Sequence, residues 1–175
     1  MRNFEFTLKY TLPDPSADPA IYLEKLEENC SDALVGIGQP GRLALQFTRE
    51  ANNAVDAVLS ALSDVKKSVP GANLIEAGPD LVGLTDLAQL LDCSRQNMRK
   101  LMLNNAGFPA PIHDGKSALW HLQPVLQWLQ SKQQRRVEPL LLEVAWASMQ
   151  VNLAQQSAML DKTISERLNR LAENV

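Results

Sequence analysis

Between Leu84 and Leu101 the chain reads LTDLAQLLDCSRQNMRKL, and the spacing within this stretch restricts the fold more than any other. Counted from Leu84, small or apolar residues fall at the fourth, fifth, eighth, tenth, fifteenth and eighteenth positions: Leu87, Ala88, Leu91, Cys93, Met98 and Leu101. Two short helices crossing at a steep angle need this pattern, with a small residue, Ala88, where their backbones approach. Thr85 is placed to cap the first helix and Ser94 the second, because each hydroxyl can accept an otherwise orphaned backbone N–H. The usual turn glycine is replaced by Asp92, which tolerates a left-handed backbone better than most residues. Arg95, Gln96, Asn97, Arg99 and Lys100 are left pointing mostly outward from the second helix. Arg, Gln and Asn can pair bidentately with guanine or adenine edges in a major groove. The plain alternative is a helical hairpin whose charges only face water.

The next segment, GFPAPIHDGKSALWHLQPVLQWLQSK from Gly107, favours the first reading. Pro109 and Pro111 exclude a helix, and Asp114-Gly115 signals a turn between two extended runs, Pro111 to His113 and Ala118 to Trp120. A small β-hairpin, or wing, is expected there. Pro124 suits the first turn of a further helix, whose Val125, Leu126, Trp128 and Leu129 clamp back onto the helix pair. The combination of FPAP, a basic hairpin tip and WHLQPVLQWL resembles the winged helix-turn-helix of the MerR, excisionase and AlpA-like regulators, over about 50 residues from Val82 to roughly Lys132. The resemblance implies DNA binding through the helix from Ser94 to Asn104, with the wing near Lys116 on the backbone or minor groove.

Charge is distributed to match. Residues 81–136 carry seven Lys and Arg against three Asp and Glu, a net of +4. Residues 1–80 carry seven against twelve (−5), and residues 137–175 three against five (−2). An acidic protein thus has a basic middle, where a phosphate-binding surface belongs. A patch of +4 is modest, which favours two copies acting together.

Residues 1–78 read as a separate α+β domain. Phe4, Phe6, Leu8 and Tyr10 alternate with Glu5, Thr7 and Lys9, as in a half-buried strand. A helix is expected over Ala20 to Asn29, burying Ile21, Leu23 and Leu26. Ala33 to Ile37 and Leu43 to Phe47 flank the turn GQPG. Glu50 to Ser68 is strongly helical, with Ala54, Val55, Val58, Leu59, Leu62 and Val65 on one face. Ala72 to Ala77 supplies a fourth strand. The order β-α-β-β-α-β is that of the ferredoxin-like arrangement. That arrangement hosts many functions. A basic, aromatic third strand for RNA is missing from RLALQF. Protein contact or dimerisation is the preferred role, with small-effector sensing behind it. After Gly78-Pro79-Asp80 a winged domain over 79–136 begins almost at once, so the first domain orients the second.

The tail, 137–175, starts a helix at Pro139. No Gly or Pro interrupts Leu140 to Ala172, so one helix of about 33 residues is expected, spanning roughly 50 Å. Leu142, Trp146, Met149, Leu153, Leu160, Ile164, Leu168 and Leu171 form a coiled-coil-like seam for dimerisation, interrupted by Gln156 and Ser157.

Catalysis finds little support. The two histidines, His113 and His121, have no HExxH or CxxC partner pattern, and no Gly-rich loop precedes a helix. His113 is read as a solvated wing residue within reach of phosphate. Neither a metal site nor a cofactor is expected. Cys30 and Cys93 suit packing in a reducing cytoplasm. No apolar run approaches a membrane span, and the start lacks a basic-then-apolar signal. The expectation is a cytoplasmic, nucleoid-associated regulator that binds double-stranded DNA as a homodimer and is not an enzyme. The alternative is an adaptor or assembly protein, whose exposed surface should be more apolar and less cationic.

Overall fold

Strict alternation at the N-terminus produces a long strand, β1 (Arg2–Thr11), with Phe4, Phe6, Leu8 and Tyr10 turned into the core. The structure is a computed structural model describing residues 1–132 and 136–172. The parts of the expected second and third units at 133–135 and 173–175 lie outside the described residues. A 3-10 turn (Pro19–Tyr22) leads into α1 (Leu23–Asn29), followed by β2 (Ala33–Gly36), β3 (Arg42–Ala51), α2 (Ala54–Ser68) and β4 (Asn73–Gly78). The four strands form one antiparallel sheet in the order β2-β3-β1-β4. Phe6 stands opposite Phe47 in register, and their rings stack 5.2 Å apart. Helices lie on the face carrying these residues, while Asn3, Glu5, Lys9, Gln46, Thr48 and Glu50 are exposed on the other. The chain is therefore mixed α/β, with seven α-helices among the described residues.

Several local expectations need correction. The helix expected from Ala20 begins as a 3-10 turn because Asp18 caps Ala20, and only Leu26 of the three named apolar residues is buried. Ile21 and Leu23 are exposed. Strand β3 runs on to Ala51, so α2 starts late, at an Asn53 side chain that accepts the Asp56 N–H at 2.9 Å. Its buried stripe is Ala54, Ala57, Val58, Ala61 and Val65; Leu59 faces solvent because small alanines occupy the contact with the sheet.

The second half adds β5 (Leu81–Val82), α3 (Leu84–Leu90), α4 (Arg95–Asn104), β6 (Trp120–His121) and α5 (Leu122–Lys132). Leu87, Ala88 and Met98 are buried between α3 and α4, with Val125, Leu126, Trp128 and Leu129 of α5 closing the cluster. Asp92 takes the left-handed backbone of the missing glycine, at φ 48°. Ser94 Oγ accepts the Asn97 N–H at 3.1 Å and caps α4. Thr85 does not cap α3. Gly83 stands at the cap, and its N–H donates to Asp86 Oδ2 at 2.7 Å, since a carboxylate at the third helical position reaches back to the cap. The hairpin expected over 111–120 shrinks to one bridge, His113 with Leu119, because Pro109 and Pro111 supply no N–H and five residues separate the bridge partners. The firmer ladder pairs β6 with β5.

The tail is not one helix. Helix α6 (Pro139–Ser157) ends in a turn, and α7 (Lys162–Ala172) restarts where Asp161 Oδ1 accepts the Ile164 N–H at 3.1 Å. A capping aspartate offers the backbone an alternative to continuing the helix. Helix α6 packs inward: Val144 and Ala147 join the core of the sheet, and Ala145 joins the core around α3, α4 and α5.

Candidate functional site

Helix α4 is capped at one end by Ser94 and anchored by Met98, and these two constraints decide where its polar side chains point. Met98 is fully buried, so Arg95, Gln96, Asn97, Arg99 and Lys100 are all exposed. Residues three and four apart share a face. Arg95, Arg99 and Met102 therefore line one stripe, directed at the loop that carries Lys116. Together with Thr85, Ser117 and Trp120 they bound a cleft of about 540 Å³. Two acids, Asp86 and Asp114, also line it, and Asp86 is occupied by the Gly83 N–H. Three cations thus converge on an open cleft between a helix and a loop.

The remaining named residues lie around it. Gln96, Asn97 and Lys100 are exposed on α4 but do not line the cleft. The Ser94 hydroxyl is engaged as the cap. His113 is exposed beyond the cleft, and its ring lies against Gly115, where an added Cβ would meet His113 Nε2 at 2.9 Å. Trp120 Nε1 donates to the Pro109 carbonyl at 3.0 Å and fixes the base of the loop, with Phe108 edge-on to both Trp120 and Trp128. Met102 and Ser117 carry no mark as site residues in the sequence, and Thr85 on α3 is marked there only as a cap. The periodic signal at Arg95, Arg99 and Met102 marks the third of the stripe, but nothing local marks the loop residues.

The orientation of this cleft relative to the sheet depends on a buried polar junction. Asp80 is almost wholly buried; its Oδ1 accepts from His121 Nδ1 at 2.8 Å and its Oδ2 from Asn152 Nδ2 at 2.7 Å. The Asp80 carbonyl accepts the Leu122 N–H at 2.7 Å. Asn152 in turn joins Ala77 through both backbone groups at 2.8 Å. Strand β4, the linker, β6 and α6 thereby meet at one set of hydrogen bonds. His121 is a structural partner of Asp80.

A second charged cluster lies in the first half. Arg49 donates to Asp32 through Nε and Nη2 and to Asp64 and Ser60 through Nη1, at 2.7 to 3.1 Å. These bonds, the one to Asp32 foremost, hold the guanidinium further into its charged range despite burial. They tie β3 to α2, and sequence gave no signal for them. Among the described residues no His, Cys, Asp and Glu cluster could hold a metal ion, and no helix is long and apolar enough to cross a membrane.

Of the residues named for dimerisation, Leu142 and Met149 are half-buried, and Trp146, Leu153, Leu160, Ile164, Leu168 and Leu171 are exposed. The turn between α6 and α7 holds Leu160 and divides the others into two stripes. Comparison with protein-family models, curated proteins and solved structures returned no match.

Proposed function

We propose that the protein is a sequence-specific, non-enzymatic DNA-binding regulator of the bacterial or phage kind, with a winged helix-turn-helix at 79–136. The observation that carries this reading is the convergence of Arg95, Arg99 and Lys116 on one cleft between α4 and the loop. A helix with cations along one edge and a basic loop beside it suits a duplex. The helix offers Arg and Gln to base edges, and Lys116 and Lys100 offer point charges to phosphates. The net of +4 over 81–136 agrees with this. The strand order β2-β3-β1-β4 and the sequence β-α-β-β-α-β support a ferredoxin-like reading of 1–78, in a protein-contact role. The regulator acts as a homodimer at the nucleoid, because one patch of this size neutralises few phosphates.

A second reading is favoured by Leu103 and Ile112, both more than half exposed on α4 and the loop. An adaptor would use such side chains against a protein partner. Selection from random duplexes, followed by gel shift at two salt concentrations, separates the two. A preferred sequence whose affinity falls steeply with salt supports the regulator. No duplex binding at low salt would sink it in favour of the adaptor.

A further inference from the structure

Helix α7 buries none of its residues. Ile164, Leu168 and Leu171 fall on one side, spaced by four and three, and each is more than half exposed. Arg167 flanks them, three residues after Ile164 and four before Leu171. Elsewhere on the chain, the start of α2, the start of α5 and the outer side of α6 bound a groove of about 640 Å³. Val55, Leu142 and Trp146 give it apolar walls, and Trp146 is 45% exposed. Asp56 and Glu143 line its rim. Glu143 is shared with Arg2, but among the described residues no cation pairs with Asp56.

An apolar helix stripe with a cationic flank and an apolar groove with an acidic rim are thus complementary in shape class and in charge. Both are carried, apart, by one chain. We propose that α7 of each molecule docks in the α2–α5–α6 groove of a second copy, with Ile164, Leu168 and Leu171 against Trp146 and Leu142 and Arg167 toward Asp56. This is recognition of an amphipathic helix by a groove. Exchange in both directions satisfies two stripes and two grooves around one two-fold axis and closes the assembly at a dimer. It rests on the homodimeric reading above and replaces pairing of α7 with α7 by pairing of α7 with a groove.

The test is light scattering on the full chain and on three variants, Trp146→Ala, Asp56→Lys and Leu168→Asp, with circular dichroism to verify folding. Asp56 and Leu168 are surface positions, so they keep the test independent of core packing. The wild-type chain should be dimeric and each variant should dissociate at least about tenfold more readily. An equimolar mixture of Trp146→Ala and Leu168→Asp should regain dimer mass, since one supplies an intact arm and the other an intact groove. A dimer unaffected by Trp146→Ala and Asp56→Lys overturns the arm exchange while leaving the homodimer standing. A wild-type monomer at every concentration overturns the homodimer and the exchange together. If, in that monomer, Leu168→Asp also exposes Trp146 to acrylamide quenching, the arm covers its own groove.

Discussion

Asn152 Nδ2 donates to the Asp80 carboxylate at 2.7 Å, and the two side chains come from elements 72 positions apart. The amide has a second duty, because it also pairs with both backbone groups of Ala77 on the sheet edge. Strand edges expose unpaired N–H and C=O groups, and here a helix side chain covers them. The same residue therefore closes an edge and locks the linker between two halves of the chain.

Asn152→Ala should leave the Ala77 groups and one Asp80 oxygen buried and unsatisfied, costing about 3 kcal/mol. A urea melt checks the size of the loss. Limited proteolysis near Pro79 should also speed up, and unchanged cleavage there would show that the junction is held by packing alone.

Removal of the tail should depend sharply on where the cut falls. Ending the chain after Ser157 removes α7, which belongs to neither core of its own chain, and should leave a monomer that still unfolds cooperatively. Ending it after Arg136 also removes Val144, Ala147, Ala145 and Asn152 from two cores and the junction. That shorter chain should fail to fold cooperatively, and a sharp calorimetric transition from it would contradict the role given to α6.

Asp64 provides the pH dependence. Burial by itself would raise its carboxyl, but hydrogen bonds and charge from Lys67 and Arg49 outweigh this and hold it below the ordinary aspartate range. A group lowered on folding stabilises fully above its unfolded value, about 4, and loses that contribution as pH falls through the lowered one. Asp64→Asn should therefore cost about 1–2 kcal/mol at pH 7. The gap from wild type should shrink on acidification below the aspartate range, and an equal gap at both ends would reject the assignment.

The two thiols should react unequally. Cys30 is buried, and desolvation, followed by the Asp64 charge, raises its pKa. Cys93 is only partly covered, at the turn between α3 and α4. Since the thiolate is the reactive form, a disulfide reagent on the native protein should titrate Cys93 first and Cys30 only on unfolding. Mass spectrometry of the labelled peptides decides it.

On the proposed duplex, Arg95→Ala and Arg99→Ala should each cost about 1–3 kcal/mol at the best sequence and relax the preference at one base position. Lys116→Ala should weaken all sequences alike and flatten the salt dependence. A specificity profile unchanged in both arginine variants would remove base reading from α4.

Local chemistry wrote much of this protein into its sequence. Alternation fixed β1, the Ser94 hydroxyl started α4, Asp92 took the turn, and Met98 set which side chains of α4 face outward. These outcomes depend on neighbours within a few residues, where side-chain period and capping act. A competing local partner changes the outcome at two places. Asp86 took the cap from Thr85, and Asp161 split the tail into two helices. Other features were settled only by tertiary contact. The meeting of Arg95 and Arg99 with Lys116 depends on how Trp120 and Phe108 seat the loop. Arg49 finds Asp32 and Asp64, and Asn152 finds Asp80 and Ala77, across separations that no pattern in the chain marks. A buried polar group must find whatever partner the packed layers bring to it, and that choice is made in three dimensions.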